Sequence, residues 1–291
     1  KAFALDKTDA RVLMELDQLY KRLNKEPEQR LKFIEDNLEV ANQRDDIYLE
    51  RVTLYNLLGN YETALNLLNA RQFHPWEGGE GKASGQYVFG LVQLAKKYME
   101  DGLYEKAINY LNAAKTYPHN LGEGKLYGTQ ENDIDYWLGH AYELSNESEL
   151  AKKYFEQATV GLDEPSAAVF YNDQQPDKIF YQGLAWEKLG DAQQASRIFK
   201  KLVDYGVKHA DDEVKINYFA VSLPNLLIFD DDLNLRNNIH TSFLQGLGLL
   251  GLHELNGAQK MLNKVLQLDT THSGGKVHLD MVKHALNVTN Y

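Results

Sequence analysis

Gly183-Leu184-Ala185-Trp186-Glu187-Lys188-Leu189-Gly190-Asp191-Ala192-Gln193-Gln194-Ala195-Ser196-Arg197-Ile198-Phe199-Lys200-Lys201-Leu202 reads as two amphipathic helices joined by a tight turn. Gly183, Trp186 and Leu189 recur at helical spacing, Gly190-Asp191 interrupts them, and Ala195, Phe199 and Leu202 resume the pattern. Gly190 stands near the end of the first helix and Asp191 is placed to cap the second. Gly183 and Ala195 are small enough for two antiparallel helices to approach closely. Trp186 and Phe199 are bulky and are expected to fill the groove toward the next pair.

The arrangement returns almost every forty-four residues, as Ala95, Ala107, Leu111, Ala114 and again as Gly139, Ala151, Phe155, Ala158. In each copy twelve residues separate the two small positions, and Gly102, Asn146 and Gly190 stand five before the second. Further copies run through Val52, Tyr55, Gly59, Tyr61, Ala64 and Leu68, and through Gly246, Leu249, Ala258, Leu262 and Val265. A degraded copy contains Leu13, Leu16, Tyr20, Gln29 and Phe33; Asn24 and His253 stand where glycine is usual. One hairpin cannot bury its apolar face alone, so self-similarity at a fixed period signals a stacked solenoid.

The order small, aromatic, Gly, aromatic, Ala, aromatic, Ala resembles the tetratricopeptide repeat (TPR), a helix-turn-helix unit of about 34 residues. The resemblance implies an all-α, TPR-like superhelix of about six repeats, at 9–42, 45–72, 88–117, 132–162, 176–205 and 239–270. We expect one elongated domain over 1–291, because each repeat contacts only its neighbours.

Ala64, Ala107, Ala151 and Ala195 lie 43, 44 and 44 apart, and Ala258 follows at 63, so extra residues separate the units. These insertions, read as 73–87, 118–131, 163–175 and 206–238, are expected to project from one edge, often a binding face. The first two share Pro-x3-Gly-Glu-Gly-Lys, then Gly, then Gln. Ala83 and Leu126 follow the lysines, so this is not the phosphate-cradling loop, which needs Ser or Thr there. On one reading Glu80, Lys82, Glu123 and Lys125 lock adjacent repeats together; on another they touch a ligand.

The inserts gather Trp76, Tyr87, Tyr127 and Tyr171 with Glu77, Glu131, Asp133, Asn172 and Asp173. Aromatic plates beside planar polar groups suit a sugar, and equally a peptide or a chain terminus. The candidate binding set is therefore Trp76, Glu77, Glu80, Lys82, Tyr87, Glu123, Lys125, Tyr127, Glu131, Asp133, Asn172 and Asp173. The apolar stretch from Asn217 to Asp232 is too hydrophobic to stand in water and is expected to pack on the solenoid or, as the alternative, on a partner.

A formal charge of −11 argues against a phosphate-backbone partner, which needs clustered Lys and Arg. No apolar run reaches membrane-spanning length, and the absence of cysteine excludes disulfides and thiolate metal sites. That absence fits cytoplasm and periplasm equally, so the compartment stays open. Asp230, Asp232 and Asn234 imitate the opening of a calcium loop, but Leu235 and Thr241 stand where Gly and Glu are required, so a solvated acidic turn or a helix cap is the expected role. No metal and no cofactor is expected.

Residues 73–82, 130–133 and 219–224 resemble the C-terminal repeat region of large bacterial multidomain proteins that carry an N-terminal domain of unknown function. Lys1 to Lys7 also resembles a repeat's closing segment, such as Lys264 to Thr270. Both imply a fragment of a longer protein. The leading expectation is a non-catalytic interaction or scaffold module that binds a protein, or the rest of its own polypeptide, through the concave groove and the insertion loops. The alternative is a carbohydrate-binding or accessory region. A third reading is a glycan-active enzyme using a carboxylate pair drawn from Glu77, Glu131, Asp133 and Asp173.

Overall fold

The structure is a computed structural model that describes residues 2–76, 78–167, 175–214, 229 and 232–289. Among these residues the chain is all-α. Helices α1 (Ala2–Leu5), α2 (Ala10–Arg22), α3 (Pro27–Glu35) and α4 (Leu38–Ala41) form the opening layer. Five hairpins follow: α5 (Asp45–Leu57) with α6 (Tyr61–Ala70), α7 (Lys82–Glu100) with α8 (Tyr104–Ala114), α9 (Asn132–Leu144) with α10 (Ser148–Ala158), α11 (Pro176–Lys188) with α12 (Ala192–Lys208), and α13 (Leu233–Gly251) with α14 (Leu255–Leu268). A last helix, α15 (Ser273–Thr289), closes the series.

Each hairpin turn is built the same way. Gly59, Gly102 and Gly190 have φ of 81°, 73° and 86°, and Asn24, Asn146 and His253 take the same left-handed conformation at 52°, 63° and 60°. The residue after each donates its N–H five positions back: Lys25 to Tyr20, Asn60 to Tyr55, Leu103 to Tyr98, Glu147 to Tyr142, Asp191 to Trp186 and Glu254 to Leu249. That bond satisfies a carbonyl left over at the helix end and turns the chain back on itself. Asp191 caps α12 by accepting from the Gln194 N–H, the role its place in the sequence suggested.

Neighbouring hairpins interlock through glycine. A Cβ on Gly183 would lie 2.3 Å from the Phe199 ring, and one on Gly251 would lie 2.2 Å from it, so Phe199 fills a notch shared by its own hairpin and the next. Likewise a Cβ on Gly139 would meet Phe155 at 2.6 Å. Gly206 faces the Thr241 carbonyl and Gly248 that of Phe199, which brings the backbones of α12 and α13 together.

Helices α5, α7, α9, α11, α13 and α15 pack in succession and form the inner layer, while α6, α8, α10, α12 and α14 back them. Trp137 and Tyr142 border both the cluster centred on α5–α9 and the cluster centred on α9–α15, while Phe3, Leu13, Ile34, Ile47 and Leu54 form a third cluster in the opening layer. This is the solenoid that the periodicity predicted.

Three helices are longer than the insertion limits read from the sequence. α7 starts at Lys82 rather than 88, α12 runs to Lys208, and α13 starts at Leu233. At α7, Glu123 from the following insert accepts from the Gly81 N–H (3.0 Å) and the Ser84 hydroxyl (2.8 Å), an acceptor that no local spacing announces. At α13, Asp232 accepts from the Asn234 and Leu235 N–H groups, so of the two roles expected for the calcium-like turn it takes that of a helix cap. Of the apolar stretch 217–232, only Phe229 and Asp232 lie among the described residues.

The array also curls until its ends meet, where an elongated domain was expected. The Asn24 amide donates to the Gln267 carbonyl (2.9 Å) and accepts from the Thr270 N–H (2.8 Å), and Lys276 on α15 donates to the Leu57 carbonyl at the end of α5 (2.6 Å).

Candidate functional site on the inner face and at the ring seam

The two related inserts fold flat. Asn120 donates to the Leu68 and Arg71 carbonyls at the end of α6 and accepts from the Phe73 N–H (2.7 Å). Gly122, with φ of 74°, lies so close to the Phe73 carbonyl that a Cβ would stand 2.7 Å from it. Trp76 is half-buried against the core and lies across Gly79. Lys125 donates to the Lys115 carbonyl (3.0 Å) and pairs with Glu131 (2.5 Å), and Lys115 pairs with Asp135 and stands 3.8 Å from Glu131. These contacts fasten one unit to the next.

The candidate residues therefore separate into groups. Glu123 caps α7; Lys125 and Glu131 pair; Asp133 turns inward to a buried ion pair with Lys178. Tyr87 packs against the core, Glu80 is exposed, and Tyr127 is fully exposed. Lys82 opens α7, where burial, reinforced by Lys21, lowers its pKa against the pull of Glu50. Glu77, Tyr171, Asn172 and Asp173 lie outside the described residues. The aromatic plates do not share a wall among the described residues: Trp76 belongs to the core and Tyr127 stands in solvent.

Lys178 also lies 4.0 Å from Asp177. Burial raises the Asp177 pKa, with Lys178 opposing, while the same two carboxylates hold the Lys178 ammonium above its ordinary range despite its burial. Asp133 and Asp177 thus converge on one cation, Lys178. Both sit in the first turn of an inner helix, where the helix dipole favours negative charge.

At the seam lies a half-open cavity of about 700 Å³. Its walls come from the end of α2 (Lys21, Arg22, Asn24), the start of α11 (Pro176, Asp177), the inner side of α13 (Arg236, His240, Phe243) and the link before α15 (Asp269, His272). Lys21 reaches Glu50 at 3.3 Å, and the fully buried Arg30 donates to both Asp17 and Glu50 at 2.6 Å, which ties α2, α3 and α5 together beside the cavity. His240 donates from Nε2 to the Ser166 carbonyl (2.7 Å). His272 accepts the Gly275 N–H at Nδ1, lies 4.7 Å from the Phe243 ring, and has its pKa lowered by burial.

None of these cavity residues belongs to the candidate binding set read from the sequence. They come from helices up to about 250 positions apart, a separation that no local spacing bridges. Asn24, an asparagine in a glycine position of the repeat, is the trace of the seam that the sequence carries.

Residues 136–159, spanning most of α9 and all of α10, match the family model for the tetratricopeptide repeat. Among solved structures the chain is similar to one in the APC/C hetero-tetramer Cut9–Hcn1, at 13% identity and TM-score 0.39, over 96% of this chain and 44% of that one. It is also similar to YrrB, described as a TPR protein with an unusual peptide-binding site, at 17% identity and TM-score 0.27, over 84% of this chain and 94% of that one. The chain spans less than half the length of the first. No helix among the described residues is long and apolar enough to cross a membrane. The fold is an all-α, TPR-like solenoid.

Proposed function

We propose that this chain is a protein-interaction scaffold without chemistry of its own, and that it holds a segment of a partner polypeptide in the cavity at the seam. The partner segment comes from another protein or from a longer form of the same polypeptide. The observation that carries the reading is the cavity itself. At about 700 Å³ it falls within the range of natural ligand sites. Leu235, Ile239 and Phe243 give it an apolar floor, and Arg22, Arg236, Asp177 and Asp232 set charges of both signs around it. A peptide offers the same mixture: apolar side chains, charges of either sign, and backbone groups that need amide partners. Asn24 and Asn237 stand in the wall.

The folding-flat of the inserts supports this over a glycan. Among the described residues Glu123, Lys125, Glu131 and Asp133 spend their contacts within the solenoid, and of the three described aromatic plates Trp76 and Tyr87 pack on the core while Tyr127 stands in solvent.

Peptides selected from a displayed library for binding to the intact chain provide the test. Arg22→Glu and Leu235→Glu change the cavity wall at partly exposed positions, so folding should survive. Both should weaken the selected peptides at least about ten-fold in calorimetry, a loss of about 1.4 kcal/mol. Undiminished binding to both variants, or binding of oligosaccharides alone, would overturn the reading.

A further inference from the structure

Partly covered lysines in this fold hold an acceptor. Lys115, Lys125, Lys178, Lys188 and Lys201 each meet a carboxylate, and Lys276 donates to the Leu57 carbonyl. Lys96, near the end of α7, does not. It is half-buried, and among the described residues its ammonium meets no carboxylate in an ion pair and gives no hydrogen bond. Its seat is the face of Trp137 on α9, 4.9 Å from the ring centroid. A ring face attracts a cation but leaves its three N–H donors without an oxygen acceptor.

The titratable groups around it come from three elements. Glu100 stands one turn further along α7 and Asp280 belongs to α15; both are exposed. Tyr61 opens α6, where burial, with Asp280 and Glu100 adding, raises its pKa. His278 on α15 is near enough for the Lys96 charge to add to the effect of burial on its ring. For Lys96 burial outweighs both carboxylates and brings its pKa down to about 8. At pH 7.5 about a quarter of such side chains are free amine, against about one in a thousand for an ordinary lysine. Desolvation of this kind is how a lysine becomes a nucleophile near neutral pH.

We propose that Lys96 is a site of acylation by compact acyl phosphates, a modification that cancels the cation seated on Trp137. The Nζ lone pair attacks the acyl carbonyl carbon and a C–N bond forms. The bond from that carbon to the phosphate oxygen breaks, phosphate leaves with the electron pair, and the surplus proton on nitrogen passes to water. The product is a longer, uncharged side chain, so the attraction to the Trp137 face and to Glu100 and Asp280 is lost. Partial cover of the side chain is what selects a compact donor. Neither Lys96 nor Trp137 lines the seam cavity, so the site stands whether or not a peptide binds there.

The intact chain, incubated with acetyl phosphate at pH 7.5 and digested for mass spectrometry, gives the rate at each lysine. Lys96 should be acetylated at least about ten-fold faster than its exposed neighbour Lys97 and than Lys106 on α8, since lower basicity and partial cover take back only part of the gain in free amine. The rate at Lys96 should level off above about pH 8, whereas that at Lys106, whose pKa a hydrogen bond with Tyr98 raises, should still climb. Asp280→Asn removes an opposing charge at an exposed position; it should speed Lys96 further and leave Lys106 as it was. Lys96 reacting no faster than Lys97, a Lys96 rate that climbs with pH alongside Lys106, or slower reaction in Asp280→Asn would overturn the proposal.

Discussion

Six residues hold the left-handed conformation that reverses each hairpin, and three of them are not glycine. A residue with a Cβ in that conformation carries a steric penalty of about 1–2 kcal/mol. His253 is exposed and makes only a 3.5 Å contact with Glu187, so His253→Gly should raise stability by about 1 kcal/mol in denaturant unfolding. Asn24→Gly should fail to do so, because the two hydrogen bonds it makes across the seam are lost with the strain. A second residue sets a pH dependence. Burial pushes the His278 pKa down to about 3, with the Gly274 carbonyl opposing and Lys96 and His272 adding to the depression. The folded value lies below the unfolded one, so this contribution is complete above about pH 6.5 and is lost as pH falls toward 3. Between pH 7.5 and 4.5 it amounts to about 2–3 kcal/mol. His278→Leu should make unfolding measurably less acid-sensitive than in the parent chain; an unchanged pH profile would mean that His278 is not buried as a neutral ring.

Helix pairing depends on notches as much as on apolar stripes. Gly183 and Gly251 together leave the space that Phe199 fills, so Gly183→Ala should force that ring off its position and cost about 1–3 kcal/mol, read by thermal or denaturant unfolding. The same substitution at Gly85, which has open space around its Cβ, provides the control. Much of this level was legible in the residues: small positions twelve apart, a turn residue five before the second, and aromatic residues to fill the gaps between units. The start of α7 was not, since the acceptor that supports its first turn lies 42 positions downstream at Glu123. Nor was the pairing of Asp133 with Lys178, which requires knowing that the first turns of α9 and α11 stand side by side. The shared Gly-Glu-Gly-Lys signature was legible as a repeated device. Its role as a fastening came only from Glu123 and Lys125; Glu80 does not repeat it, because it is exposed where its counterpart is bonded.

The curvature of the whole array sums many small rotations between neighbouring units, and periodicity in a sequence says nothing of that sum. This is why a solenoid was foreseen and its closure was not, although every contact at the seam uses ordinary groups. A closed chain of this length should scatter as a compact body, with a radius of gyration of about 19 Å by the scaling of globular domains. Small-angle X-ray scattering of the parent chain should give a value near this. The double variant Asn24→Ala with Lys276→Ala should give a larger one as the seam parts; a parent chain already as extended as the variant would show that the ends do not meet in solution. An open coil of repeats grows readily when a unit is duplicated, since the newcomer finds a free face to sit on. Where Asn24 grips Gln267 and Thr270, a unit duplicated between them would have to part that grip, so duplication inside the array carries a cost that an open coil escapes.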